Sequence, residues 1–197
     1  MYVGVIIPVH NFDTLIEENV AWCHRTYSKL GHQCKVQVLS DIRGSKYEFS
    51  GKENSLKNSI LKAVQSMPYV DCYNIIEADA IPNEEALRVM LHAYQTLPQV
   101  GGISPVYKWK DRYCYPTHQH WFNDPVYQNG IRKVGTAGIP FLFSLWNPEA
   151  LRMIDDPDLP EVYHLDTLLG KKVVKSGLTF YRMLNCEVEH FRGGRNK

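Results

Sequence analysis

Tyr73-Asn74-Ile75-Ile76-Glu77-Ala78-Asp79-Ala80-Ile81-Pro82 is the stretch from which the fold is read. An apolar run ends in two carboxylates one residue apart, directly before a proline-led helical pattern. Pro82-Asn83-Glu84-Glu85 opens that helix: Asn83 suits the cap, and the glutamates suit the positive end of the dipole. Leu87, Met90, Leu91 and Tyr94 supply its buried stripe. A strand over roughly 72–77 is therefore expected, with a helix behind it. Ligands of open α/β sheets gather at the carboxyl ends of strands. Residues i and i+2 share a side while a strand continues, so Glu77 and Asp79 could reach one ion at its mouth. Hard cations such as Mg²⁺ and Mn²⁺ take oxygen ligands and bridge carboxylates to phosphates. Alone, an acid-x-acid triplet is a common solvated loop; its place at the end of a third strand gives it weight.

Upstream, the pattern alternates. Residues 2–8 form an apolar, β-branched run that reads as a buried strand. Ile16, Val20, Cys23, Tyr27 and Leu30 mark one face of a helix that Gly31 closes. Residues 35–40 read as a second strand. Leu56, Ile60, Val64 and Met67 form the next helical face, stopped by Pro68. This β-α-β-α-β-α order implies a mostly parallel sheet with helices on its faces. Beyond residue 98 the character changes. Short strands are expected at 100–109, 132–136 and 140–145, around an aromatic, histidine-bearing loop at 113–127. A last helix carries Leu165, Leu169 and Val173 and stops at Gly177, before strands near 179–182 and 186–191.

The chain has 197 residues, 44% hydrophobic and 22% charged, which suits one soluble globular domain. A net charge of +1 supplies no field for nucleic acid or an anionic membrane. The start lacks a basic leader, and no apolar run approaches the roughly 20 residues of a span, so neither signal peptide nor membrane span is expected. Five cysteines without a CxxC pair read as reduced core residues, and a cytoplasmic setting follows.

In their order and spacing these segments resemble the GT-A glycosyltransferases, above all the large inverting family, from residue 3 to about 191. That family's first strand ends in Pro-x-x-Asn; here it reads Pro8-Val9-His10-Asn11. Its second strand ends in an acid at the nucleotide, matched by Asp41, and its next helix carries an Arg-Asn pair, matched by Lys57-Asn58. The family's Asp-x-Asp metal motif is matched, with one departure, by Glu77-Ala78-Asp79. The resemblance extends to small GT-A transferases of crenarchaeal viruses, for which the setting would be host cytoplasm. It implies a single GT-A domain, with a Rossmann-like nucleotide-binding half at 1–98 and a loop-rich acceptor half at 99–197.

The resemblance also implies roles. Pro8, Asn11, Asp41, Lys57, Asn58, Glu77 and Asp79 would line the nucleotide. Asp79, then Glu77 and His190, would hold a divalent metal, Mn²⁺ or Mg²⁺. His164-Leu165-Asp166 aligns with a Glu-Asp pair whose aspartate is the catalytic base, and the first acid is absent here. Two readings of Asp166 stand side by side: base, or an acid stabilised by a helix N-terminus. His190 is equally a candidate ligand or a satisfied strand histidine.

The expected reaction passes a sugar from a nucleotide-diphosphate donor to a glycan, protein or lipid acceptor, with inversion. A non-catalytic nucleotide-sugar or glycan binding module is the main alternative. A sugar nucleotidyltransferase fits less well, because Val9-His10-Asn11-Phe12-Asp13 replaces the Gly-rich basic loop that such enzymes carry. There is no GxGxxG for hydride transfer and no P-loop for an NTPase. His118-Gln119-His120-Trp121 reads as an aromatic loop more readily than as a metal site. Gly135-Thr136-Ala137-Gly138 is either a donor-facing turn or a strand corner. Arg192, Arg195 and Lys197 read as a basic terminus.

Overall fold

The structure is a computed structural model. It describes residues 1–9, 15–39, 55–78, 80–109, 112–114, 126–128, 130–134, 138–161 and 165–190, with the backbone alone at 107–109, 112–114, 126–128, 187, 189 and 190. The first strand, β1 (Tyr2–Pro8), has buried residues on both faces. Helix α1 (Ile16–Lys29) returns to β2 (Gln33–Leu39), and α2 (Leu56–Ser66) returns to β3 (Cys72–Ile76). A two-residue strand, β4 (Ala80–Ile81), leads into α3 (Glu84–Thr96). Asn83 caps α3 by accepting the Ala86 N–H, as its sequence predicts.

The second half supplies β5 (Val100–Trp109), β6 (Arg112–Cys114), β7 (Val126–Gln128), β8 (Ile131–Val134) and β9 (Phe143–Trp146). Then come a short α4 (Pro148–Arg152), a 3₁₀ turn (Met153–Asp155), α5 (Leu165–Lys175) and β10 (Thr179–His190). Among the described residues ten strands form one mixed sheet in the order β2-β1-β3-β9-β5-β10-β8-β7, with β4 on β10 and β6 on β5. Strand β1 pairs parallel with β2 and β3, and β10 pairs parallel with β5. β9 runs antiparallel between β3 and β5. Parallel pairing is thus the rule of the first half and mixed pairing of the second.

Helices cover both faces. Cys23 and Tyr27 of α1 and Leu87, Met90 and Leu91 of α3 pack with Val3, Val5 and Ile7 on one side. Ile60 and Val64 of α2, Leu151 of α4, and Leu169 and Val173 of α5 pack with Ile6 and Trp146 on the other. A strand buried on both sides has no polar face to show, which is why β1 reads as a continuous apolar run.

Two expectations need correction. The pieces near 179–182 and 186–191 are one strand, β10, whose register against β5 slips between Met183 and Glu187. A Leu184-Asn185-Cys186 bulge, with Asn185 exposed, breaks the alternation there, and it reads in sequence as a gap. Helix α4 was not expected, although Asn147 caps it and Pro148 opens it.

Cys23, Cys72 and Cys186 are buried free thiols and Cys34 is half-buried, while Cys114 lies outside the described side chains. Burial pushes Cys23 and Cys72 up to about 12 from an ordinary 9.0. The native chain therefore keeps protons that the unfolded chain releases first. The stability those thiols contribute is complete below pH 9 and is lost as pH rises toward 12. The expected loss is about 1.4 kcal/mol per pH unit for each thiol. Urea midpoints measured between about pH 9.5 and 11 check this, within the window from 9.0 to about 12, and Cys72→Ala should show the shallower slope.

Candidate functional site

The parallel strands β1, β2, β3, β5 and β10 all point their carboxyl ends to one edge of the sheet. Chain connectivity brings the N-termini of α1, α2, α3 and α5 toward the same edge, an arrangement that favours anionic ligands.

At the centre of that edge the chain turns sharply after β3. The Glu77 N–H donates to the Leu142 carbonyl at 2.8 Å, and the Ala78 N–H donates to Pro8 at 3.2 Å. The Ala80 N–H donates back to the Glu77 carbonyl at 2.9 Å. These bonds tie the turn to the end of β1 and to the segment entering β9. β4 then pairs antiparallel with the end of β10, placing His190 opposite Ala80 and Glu189 opposite Ile81. Directly opposed residues have Cβ atoms about 5 Å apart. The register thereby sets the backbone of His190 beside the far end of the Glu77–Ala80 turn.

Glu77 is half-buried, and Pro8, the last residue of β1, is buried. The side chain of His190 and all of Asn11, Asp41 and Asp79 lie outside the described residues. Among the described residues no three His, Cys, Asp or Glu side chains converge as a metal site. Of the expected ligand set, only Glu77 has a described side chain. Glu77, Asp79 and His190 would together offer two carboxylates and an imidazole, donors of a kind that suits Mn²⁺ or Mg²⁺.

Lys57 and Asn58 occupy the first turn of α2, behind the cap Ser55. Lys57 is 6% exposed, and its ammonium donates to the carbonyls of Asp156 at 2.7 Å and Leu159 at 3.1 Å. Its own N–H donates to the Glu161 carbonyl at 3.0 Å. The Glu161 carboxylate accepts from the Ser55 hydroxyl and from Asn58 Nδ2, the latter at 3.4 Å. The start of α2 therefore grips the 156–161 strap, which runs on toward α5. Asp156 also pairs with Lys172 of α5. Removing the Lys57 ammonium leaves buried carbonyls without that donor, but it also relieves a buried charge. Lys57→Met should cost about 1–2 kcal/mol, read as a fall in the urea midpoint at unchanged m-value.

Asp166 sits in the first turn of α5, half-buried, with Oδ1 accepting the Thr167 N–H at 2.8 Å and the Thr167 hydroxyl at 3.4 Å. Gly138 lies against this turn. A Cβ there would come within 2.6 Å of the Asp166 carbonyl oxygen and 2.7 Å of Gly170 Cα. Within 135–138, Gly138 is the described residue, and it serves close packing against α5.

The sequence reading missed Asn19. It is 3% exposed on the buried stripe of α1, beside Cys23, Thr26 and Tyr27. Its Nδ2 donates to the carbonyls of Ala78 at 3.4 Å and Ala80 at 3.2 Å. A polar residue four positions before Cys23 and eight before Tyr27, on an otherwise core-facing stripe, was the available signal. Glu161 had no such signal.

No protein-family model and no curated protein matches the sequence. Among solved structures, the fold is similar to the mannosyltransferase PcManGT from Pyrobaculum calidifontis, solved in complex with GDP-Man and Mn²⁺. The match has 14% identity and a TM-score of 0.61, over 98% of this chain and 58% of that one. A mycobacterial protein is similar at 10% identity and a TM-score of 0.58, over 98% of this chain and 68% of that one. The chain has the fold of GT-A glycosyltransferases over nearly its whole length and spans 58% of the length of the mannosyltransferase. At these identities the likeness concerns the fold. Among the described residues no helix is long and apolar enough to cross a membrane.

Proposed function

We propose that the chain is a metal-dependent glycosyltransferase that moves a sugar from a nucleotide-diphosphate donor to an acceptor hydroxyl, with inversion. The observation that carries this reading is the bonded Glu77–Ala80 turn at the carboxyl edge, paired in register with His190. It lies where a GT-A sheet brings strand ends and helix N-termini together. The one-domain arrangement, with residues 1–98 at the nucleotide and 99–197 at the acceptor, belongs to the same proposal.

Asp79, Glu77 and His190 would hold a divalent ion, which supplies neutralisation of the charge growing on the departing diphosphate. Asn11, Asp41 and Asn58 would contact the nucleotide, with Pro8 shaping the floor. Lys57 acts through the strap it holds, since its ammonium is bonded to Asp156 and Leu159. Asp166 takes the proton of the acceptor hydroxyl as its oxygen bonds to the anomeric carbon and the bond to the diphosphate breaks. Attack from the face opposite the diphosphate inverts that carbon.

The test is consumption of donor. The chain is incubated with Mn²⁺, UDP- and GDP-sugars in turn, and mixed glycan, peptide and lipid acceptors, while nucleoside diphosphate release is followed. One donor class should be consumed in an acceptor-dependent manner. A nucleotide sugar that binds and stays intact with every acceptor would identify a binding module instead.

A further inference from the structure

We propose that Asn19 is a positioning residue that sets the backbone on both sides of Asp79 and thereby the metal affinity of the turn; this rests on the functional reading above. Asn19 belongs to α1, remote in sequence from the turn, yet its single amide nitrogen donates to the carbonyls of Ala78 and Ala80. Both partners are acceptors, so the nitrogen rather than the oxygen of the amide must face the turn. Each of its two protons has one carbonyl to meet. The pair of bonds reaches the residues on both sides of Asp79 from outside the turn, whereas the Ala78 and Glu77 N–H groups hold the turn to β1 and to the approach to β9, and the Ala80 N–H closes it on Glu77.

The surroundings make this a device rather than a surface contact. Asn19 is 3% exposed, and Ala78 and Ala80 are 1% and 0% exposed. A buried amide is retained only where its hydrogen bonds are made, and in low dielectric each such bond is strong. Small side chains at 78 and 80 let α1 approach the turn closely enough for the amide to reach both carbonyls. Ala80 is also the residue opposite His190. Holding the Ala78 and Ala80 carbonyls therefore ties the residues on both sides of Asp79 to the β4–β10 pairing. Groups that orient metal ligands from behind alter affinity by about 10–100-fold when removed.

Asn19→Asp keeps the shape and turns a carboxylate toward two carbonyls. Asn19→Ser keeps a polar group too short to span both. Three properties are measured on the full chain beside Asp79→Ala: Mn²⁺ affinity from the free-ion paramagnetic resonance signal, exchange of the Ala78 and Ala80 amides without metal, and thermal unfolding. Folded Asn19 variants should exchange those amides faster and bind Mn²⁺ about 10–100-fold more weakly, with the loss smaller than in Asp79→Ala. The proposal is overturned if Asn19→Ser binds Mn²⁺ within about twofold of the unaltered chain or leaves the amide protection unchanged. It is overturned equally if both Asn19 variants fail to fold, which makes the residue a core element only. If the unaltered chain binds no Mn²⁺, with or without GDP or UDP, the functional reading itself has failed and the proposal falls with it. If metal binds and Asp79→Ala abolishes it while the Asn19 variants match the unaltered chain, only the proposal falls.

Discussion

With a donor and acceptor pair in hand, Asp166→Asn turns over about 10²–10⁴-fold more slowly than the unaltered chain, the usual contribution of a positioned general base. Asparagine keeps the side-chain oxygen that accepts the Thr167 N–H, so α5 and its packing on Gly138 are retained. It cannot take a proton from the attacking hydroxyl. The loss should therefore appear in kcat, with donor binding and the unfolding midpoint close to those of the unaltered chain. If Asp166 is only an acid favoured by the helix dipole, the variant keeps its turnover and loses a few tenths of a kcal/mol of stability. Steady-state kinetics beside a urea titration separate the two cases.

The second large effect is structural. Gly138→Val should destabilise the chain by about 3 kcal/mol or more, the upper end for overpacking a filled interior. The obstacles to even a single methyl are backbone: the Asp166 carbonyl oxygen at 2.6 Å and Gly170 Cα at 2.7 Å. Neither can rotate away as a side chain could, so α5 must move off the sheet. A loss of that size lowers the melting temperature by about 6–12 °C in a chain of this length. Because α5 carries Asp166 at the contact, whatever protein remains folded should also turn over more slowly. Thermal unfolding followed by circular dichroism checks the first statement, and activity per folded molecule checks the second.

Much of the architecture was legible because local signals agreed with the global fold. β1 reads as apolar throughout and is buried on both faces. The α3 boundary was written in Asn83 and its following glutamates, and the stop of α5 in Gly177, which adopts φ 92°. β10 was split in the sequence reading because alternation fails at its bulge, while pairing to β5 and β8 carries the strand through. Tertiary pairing prevails over pattern there.

The segments that build the candidate turn were legible in chain order, and their contacts were not. The turn at Glu77–Ala80 and the strand ending at His190 are adjacent in register, which spacing alone could not show, since 110 positions separate Ala80 from His190. Lys57, expected at the nucleotide from its match to the Arg-Asn pair, has its ammonium bonded to carbonyls about a hundred residues further along the chain. Nothing local in the sequence marks that strap. Asn19 lay between the two cases: its place on the core-facing stripe was visible, and its partners were not.

The central claim, that the carboxyl edge binds a nucleoside diphosphate through a metal held at the Glu77–Ala80 turn, is tested most directly by calorimetry. GDP and UDP are titrated into the unaltered chain, Asp79→Ala and Asp166→Asn, each with and without Mn²⁺. The account predicts that one diphosphate binds only with metal, that Asp79→Ala abolishes this binding, and that Asp166→Asn preserves it. Binding of neither nucleotide under any metal condition, or binding that Asp79→Ala leaves intact, would contradict it.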